Sequence, residues 1–278
     1  MNALIAAELF KLRRRRMTWI LAATVVVLCG AVYALLFATV AASSSAPGDE
    51  TISDLERALA FDNVITFGDA IAFRVATMMT IILAGTMAAG EFGWRTVLTG
   101  VTRAGDRRRL VLAKVAALAI AAAAAIALAF GAIVATDLAG NIARTESAHA
   151  SATFPAHLAL AVGRGWLLAV VYVALTVAIA FATRSTAAAI AVPLGILLLE
   201  PFGAAALGAI GGPIASLRHL TLSYNVDGVL AANGPVRGTS ESLDGYPPEW
   251  RSAALLMGLI AILVVATVRS FVRRDLTE

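Results

Sequence analysis

Seven stretches of this sequence contain no charged side chain: 17–48, 75–90, 115–136, 165–183, 185–199, 201–217 and 252–268. A helix needs about 20 consecutive apolar residues to cross a bilayer core, so runs of this length and number read as several membrane spans. The remaining composition agrees. Of the 278 residues 60% are hydrophobic and 14% charged, and the mean hydropathy is +0.84. Soluble domains carry about a quarter charged residues, and this chain has too little polar surface to cover a water-soluble globule. A soluble enzyme, a disordered chain and a nucleic-acid binder are excluded. The net charge of +4 therefore bears on membrane topology and not on DNA.

Apolar runs and chain breakers predict six spans, at about 17–40, 69–90, 108–136, 156–183, 186–210 and 252–270. Polar loops at 43–68, 137–153 and 212–250 separate them. The last contains Asn233-Gly234-Pro235, Asp244-Gly245 and Pro247-Pro248, all turn-forming. The apolar run after the basic N-terminus exceeds the ~7–15 residues of a signal-peptide core, so the first helix is expected to remain. The expected fold is all-α, one transmembrane domain over 1–278.

Charge asymmetry orients it. The N-terminus, the 91–114 segment, Arg184 and the tail from Arg269 hold 15 Lys/Arg and 5 acids, while the remainder holds 7 Lys/Arg and 13 acids. Basic residues stay on the cytoplasmic side during insertion. Both termini are therefore expected in the cytoplasm and the three long loops outside, in the cytoplasmic (inner) membrane.

Residues 1–16 space Leu4, Ile5, Leu9 and Leu12 for one helical face, with Glu8, Lys11 and Arg15 read as off it. This predicts a helix lying in the inner headgroup layer. A basic anchor without helix is the simpler alternative, since Arg13–Arg16 would hold anionic lipid at about 1 kcal/mol per charge. In the third span the alanine-rich run 117–129 predicts a helix-packing face, because small side chains let backbones approach.

Several chemistries lack their residues. The only lysines are Lys11 and Lys114, and neither follows a glycine-rich loop, so no Walker-type phosphate cradle is present. His149, His157 and His219 form no His-Glu-x-x-His, and no Gly-x-Ser-x-Gly elbow exists. Cys29 is the single cysteine, which rules out an intramolecular disulfide or thiolate cluster. No catalytic residue, resident cofactor or metal site is expected.

Three charges fall at or inside the spans: Arg74, Arg164 and Glu200. Arg164 precedes 19 neutral residues, about 28 Å of helix, and can sit at the outer rim. Arg74 precedes 16, about 24 Å, and lies about a turn inside; both arginines can snorkel. Glu200 has only 15 neutral residues between it and Arg184, about 22 Å, and a glutamate cannot snorkel far. Pro201 follows it, and then a glycine-rich apolar stretch. The pattern predicts a helix over 186–199 that breaks at Glu200-Pro201, with 202–217 as a re-entrant or interfacial turn on the outer side. Glu200 is expected at an outer gate or dimer interface, paired with Arg164 or Arg74; the alternative is a glutamate held protonated or wet at the interface.

The most informative segment joins spans two and three: Gly90-Glu91-Phe92-Gly93-Trp94-Arg95-Thr96, then Gly105-Asp106, Arg107-Arg108-Arg109 and Lys114. Its first part is amphipathic, which suits either lipid or a groove in a partner. A Glu-aromatic stretch followed by Thr, an Arg-rich segment and a Lys opening the next span resembles the first intracellular hairpin of type-2 ABC permeases, the membrane subunits of ATP-driven exporters. Arg95-Thr96 stands where that family often has Gly-Thr. The resemblance extends to Glu8-Leu9-Phe10-Lys11-Leu12-Arg13-Arg14, the six spans and the long outer loop before the last span. It implies that 91–106 is a coupling hairpin docking into a separate nucleotide-binding subunit, with Glu91, Phe92, Trp94, Arg95 and Thr96 at or near the contact. ATP and Mg would be held by that partner. A second permease copy or a paralogue would complete the pair, and lipid would surround it.

The resemblance thus implies a permease subunit of an ATP-driven exporter working by alternating access. Aliphatic, neutral spans suit an amphiphilic or apolar cargo and equally suit any lipid-facing wall. The competing classes are a non-transporting scaffold or immunity protein and an ion-coupled secondary transporter. The latter would be expected to carry more mid-span carboxylates than Glu200.

Overall fold

A computed structural model describes residues 1–43, 50–93, 106–144, 151–210, 212, 216–239 and 245–273, the backbone alone for 91–93. Among them the chain forms helices α1 (Asn2–Arg14), α2 (Arg16–Ser43), α3 (Glu50–Ala58), α4 (Val64–Gly93), α5 (Arg107–Ala143), α6 (Phe154–Thr183), α7 (Thr186–Ile210), α8 (Leu222–Leu230) and α9 (Glu249–Arg273), and no strand. Six of these are long and apolar enough to cross a membrane: α2, α4, α5, α6, α7 and α9.

The spans pack around α4 and α6. Helix α4 touches α2, α5, α6 and α7, while α6 touches α4, α5, α7 and α9. More than half of the apolar window is buried in α4 (56%) and α6 (61%), against 17%, 11% and 17% in α2, α7 and α9. The outer three therefore turn most of their surface away from the bundle. The alanine-rich run of α5 packs as its small residues predict. Ala117, Ala122, Ile126 and Ala129 are buried at helical spacing, and Gly165 of α6 leaves room for Ile126, whose Cγ2 would meet a Cβ there at 3.2 Å.

Local chemistry sets the helix ends. Asp106 caps α5 by accepting from the Arg108 N–H at 2.9 Å, the point where Gly105-Asp106 predicts a break. Arg15 is extended (φ −83°, ψ 127°) and separates α1 from α2, and the Trp19 indole N–H donates back to the Arg13 carbonyl at 2.9 Å. Arg184 adopts a left-handed turn (φ 55°) that ends α6, so only Arg184 and Ser185 link α6 to α7.

Three departures from the sequence reading have physical causes. Helix α5 runs to Ala143, seven residues past the expected end at 136. Asp137 and Asn141 sit one turn apart and share a hydrogen bond inside the bundle, so polar residues do not end the helix there. Helix α7 does not break at Glu200-Pro201 but continues to Ile210, with Pro193 and Pro201 both inside it. Proline is tolerated in spanning helices where neighbouring groups take up the freed backbone. The long loop before the last span contains α8, capped by Thr221, whose hydroxyl accepts from the Tyr224 N–H at 3.4 Å.

Candidate coupling and gating sites

At one end of the bundle α1 lies against α5. Leu4, Glu8 and Leu12 are one turn apart and share a face, and Glu8 and Leu12 are buried. Glu8 therefore belongs to the packed face of α1, not to the polar face where the spacing argument placed it. Its carboxylate accepts from Lys114 Nζ at 3.2 Å and from Lys11 Nζ at 2.5 Å. Lys114 is 1% exposed and Glu8 4%. Burial pushes the Glu8 carboxyl up, but the ammonium groups of Lys114 and Lys11 outweigh it and hold it below the ordinary glutamate value. At the same end an Arg107 Nη1 donates to the Val272 carbonyl at 3.4 Å, and Phe181 meets Phe271 edge-on at 5.0 Å. The N-terminal helix, the start of α5 and the ends of α6 and α9 thus gather on one side.

The hairpin expected to couple to a partner opens from this side. Glu91 and Phe92 fall in the last turn of α4. Their side chains, together with Trp94, Arg95 and Thr96, lie outside the described residues.

The opposite end is closed by a polar clamp. The Arg164 fork on α6 donates to Glu249 of α9 through Nε at 2.8 Å and Nη2 at 3.1 Å, and its Nη1 donates to Asn233 Oδ1 at 2.7 Å. Asn233 Nδ2 donates in turn to Asp69 Oδ2 of α4 at 2.7 Å. Below it Asn63 pins the same loop, donating to the Arg237 carbonyl and accepting from the Arg237 N–H, each at 2.9 Å. Arg144 pairs with Glu56 across α5 and α3. The loop 231–239 therefore ties α4 to α6, and Arg164 ties α6 on to α9. A bidentate guanidinium–carboxylate pair fixes orientation as well as distance.

Glu200 pairs with neither arginine, contrary to the sequence expectation. Arg164 is committed to Glu249 and Asn233. The Glu200 carboxylate instead accepts from the backbone N–H of Leu222 and, at 3.3 Å, of Ser223. It caps the N-terminus of α8, where helical N–H groups lack partners and the dipole favours an anion. Arg74 is exposed on α4, and Asp227 of α8 lies within its electrostatic reach.

A buried polar knot lies just past the third apolar run, which ends at 136. Asp137 and Asn141 are enclosed, and Asn141 Nδ2 donates to Asp137 Oδ2 at 3.0 Å and to the Leu59 carbonyl at 3.1 Å. Asp137 Oδ1 and the Tyr33 hydroxyl are buried without a hydrogen-bond partner. The signal available was the i, i+4 spacing of Asp137 and Asn141, which continues the helical face of Ile133.

Two clefts flank Asn233-Gly234, one of about 340 Å³ against Asp69 and Asp227 and one of about 270 Å³ against Asp62, His157 and Arg237. Among the described residues no group of three His, Cys, Asp or Glu is placed to hold a metal ion. The arrangement offers one end where hydrogen bonds link three spans and an opposite end from which the 91–106 segment leaves α4 and enters α5.

Residues 2–276 match the family model described as ABC-2 family transporter protein. Comparison with curated proteins gives no match.

Proposed function

We propose, from the premise that this chain belongs to the ABC-2 transporter family, that it is the membrane-spanning permease subunit of an ATP-driven exporter. The family match over nearly the whole chain carries this reading, and six apolar helices suit it. Such a subunit moves its cargo by rearranging a bundle while a separate nucleotide-binding subunit hydrolyses ATP with Mg. The chain's part is mechanical. Its hairpin at 91–106 receives the push, with Glu91, Phe92, Trp94, Arg95 and Thr96 at or near the contact, and α4 and α5 carry it inward because they are the helices the hairpin joins.

The positive-inside asymmetry supports an orientation with the α1 end and both termini in the cytoplasm, in the cytoplasmic membrane. The clamp of Asp69, Asn233, Arg164 and Glu249 is then the outer closure, and Arg74 and Glu200 stand beside it. Outward opening must break this clamp, and a paired permease, a second copy or a paralogue, supplies the other wall. The segment before the last span works as a re-entrant piece. Glu200, which caps α8, sits ten residues before the end of α7, so α8 begins about 15 Å below that end. An apolar or amphiphilic cargo suits the neutral walls.

The experiment is purification of the tagged full chain from native membranes, with ATPase activity followed through elution. Wild type is expected to carry a Mg-dependent ATPase, and Trp94→Ala or Glu91→Ala to lose it while still folding. Wild-type protein eluting with no nucleotide hydrolase, or Trp94→Ala retaining it fully, overturns the coupling role.

A further inference from the structure

Between α7 and α8 the chain makes a short 3-10 turn, Ser216–Leu220, that carries Arg218, which forms no ion pair among the described residues. The Arg218 guanidinium lies over the Tyr224 ring, 5.5 Å from its centroid, and His219 meets the same ring edge-on at 4.8 Å. Arg218 also reaches α7, where a Cβ on Gly208 would stand 3.3 Å from its Nη1. Yet among the described residues no oxygen accepts a hydrogen bond from the guanidinium, and its Nε and the His219 Nδ1 are buried without partners. An arginine held in place by an aromatic ring and, among the described residues, given no carboxylate partner is a site open to an anion.

Its surroundings say which anion. Leu217 is 51% exposed and Leu220 80%. A cation at the end of a spanning helix, with bare apolar side chains on either side of it in the same turn, matches the headgroup and acyl chains of one lipid. We propose that Arg218 is a headgroup site for an anionic phospholipid in the leaflet at the Ile210 end of α7, its phosphodiester paired with the guanidinium and its acyl chains covering Leu217 and Leu220. The site is independent of the transport reading and of which side of the membrane this end faces.

The test is hydrogen exchange of amides 216–224 in the purified full chain in detergent, with phosphatidylglycerol, with diacylglycerol of the same acyl chains, or with inorganic phosphate. In wild type phosphatidylglycerol slows exchange about tenfold, as loss of a charge-assisted pair would reverse; diacylglycerol and phosphate do not. Arg218→Gln, which keeps the stem on Tyr224, abolishes the slowing, and Arg218→Lys retains part of it. Leu220→Asp, on a side chain directed away from the protein, abolishes it too and serves where Arg218→Gln fails to fold. Equal slowing in wild type, Arg218→Gln and Leu220→Asp overturns the site. Slowing by diacylglycerol alone overturns the phosphate pairing, and slowing by phosphate alone overturns the lipid.

Discussion

Lys114 finds its counter-charge on Glu8, 106 residues earlier in the chain, and the two meet at 3.2 Å with almost no water around either. Removing one partner from such a pair costs more than the pair itself contributes, because the other group stays buried without its closest counter-charge on α1. Glu8→Gln is expected to destabilise the protein by about 3 kcal/mol, and the double change Glu8→Gln, Lys114→Met to recover most of it. Thermal unfolding in detergent measures both. A double variant no more stable than the single one contradicts the account.

The same carboxylate gives a pH dependence. Its pKa is held below the ordinary glutamate value, so its contribution is present above that value and is lost as pH falls through the depressed one. The stability gap between wild type and Glu8→Gln is expected to be full at neutral pH and to narrow below about pH 4. Unfolding midpoints across an acid series check this, and a gap that widens on acidification refutes it.

Arg164 and Glu249 should behave as a swappable pair. Arg164→Ala frees Glu249 and strips Asn233 of its donor, at about 1–2 kcal/mol, moderated because Glu249 is partly exposed. Arg164→Glu with Glu249→Arg is expected to restore part of the loss. The single variants are expected to loosen the clamped end, read as faster labelling of a cysteine placed at Ala231, beside the clamp and outside its hydrogen bonds. Unchanged labelling removes the clamp from the proposed gate.

Glu200→Ala should uncap α8. The expected cost is about 1 kcal/mol, with faster hydrogen exchange at Leu222 and Ser223 while α7 stays protected. Glu200→Gln keeps a neutral acceptor and should lose less. Exchange confined to α7 would instead mean that Glu200 supports its own helix.

The long apolar runs were readable because hydrophobic length alone sets a span, and the helix bounds fall close to them. Charged residues inside helices were not readable the same way. Glu8 was set aside as polar, although its spacing with Leu4 and Leu12 already placed it on their face. Asp137 reads as a loop residue because only the fold brings the Leu59 carbonyl to Asn141, its neighbour one helical turn on. Glu200 was legible as a charge at depth, but its partners are backbone N–H groups 22 and 23 residues on, which carry no side-chain signature. Helix α8 was hidden among turn-forming neighbours, and its Thr221 cap with Leu222, Val226 and Val229 was the missed cue.

The uneven enclosure of the six spanning helices has an evolutionary reading. More than half of the apolar window of α4 and of α6 is enclosed, and exchanges at those positions alter volume in a packed interior. Side chains on α2, α7 and α9 face fluid surroundings over most of their circumference and tolerate any aliphatic replacement. Divergence between this chain and its kin should therefore pool on the three peripheral helices, leaving the two central ones as the slowest-changing record of common descent.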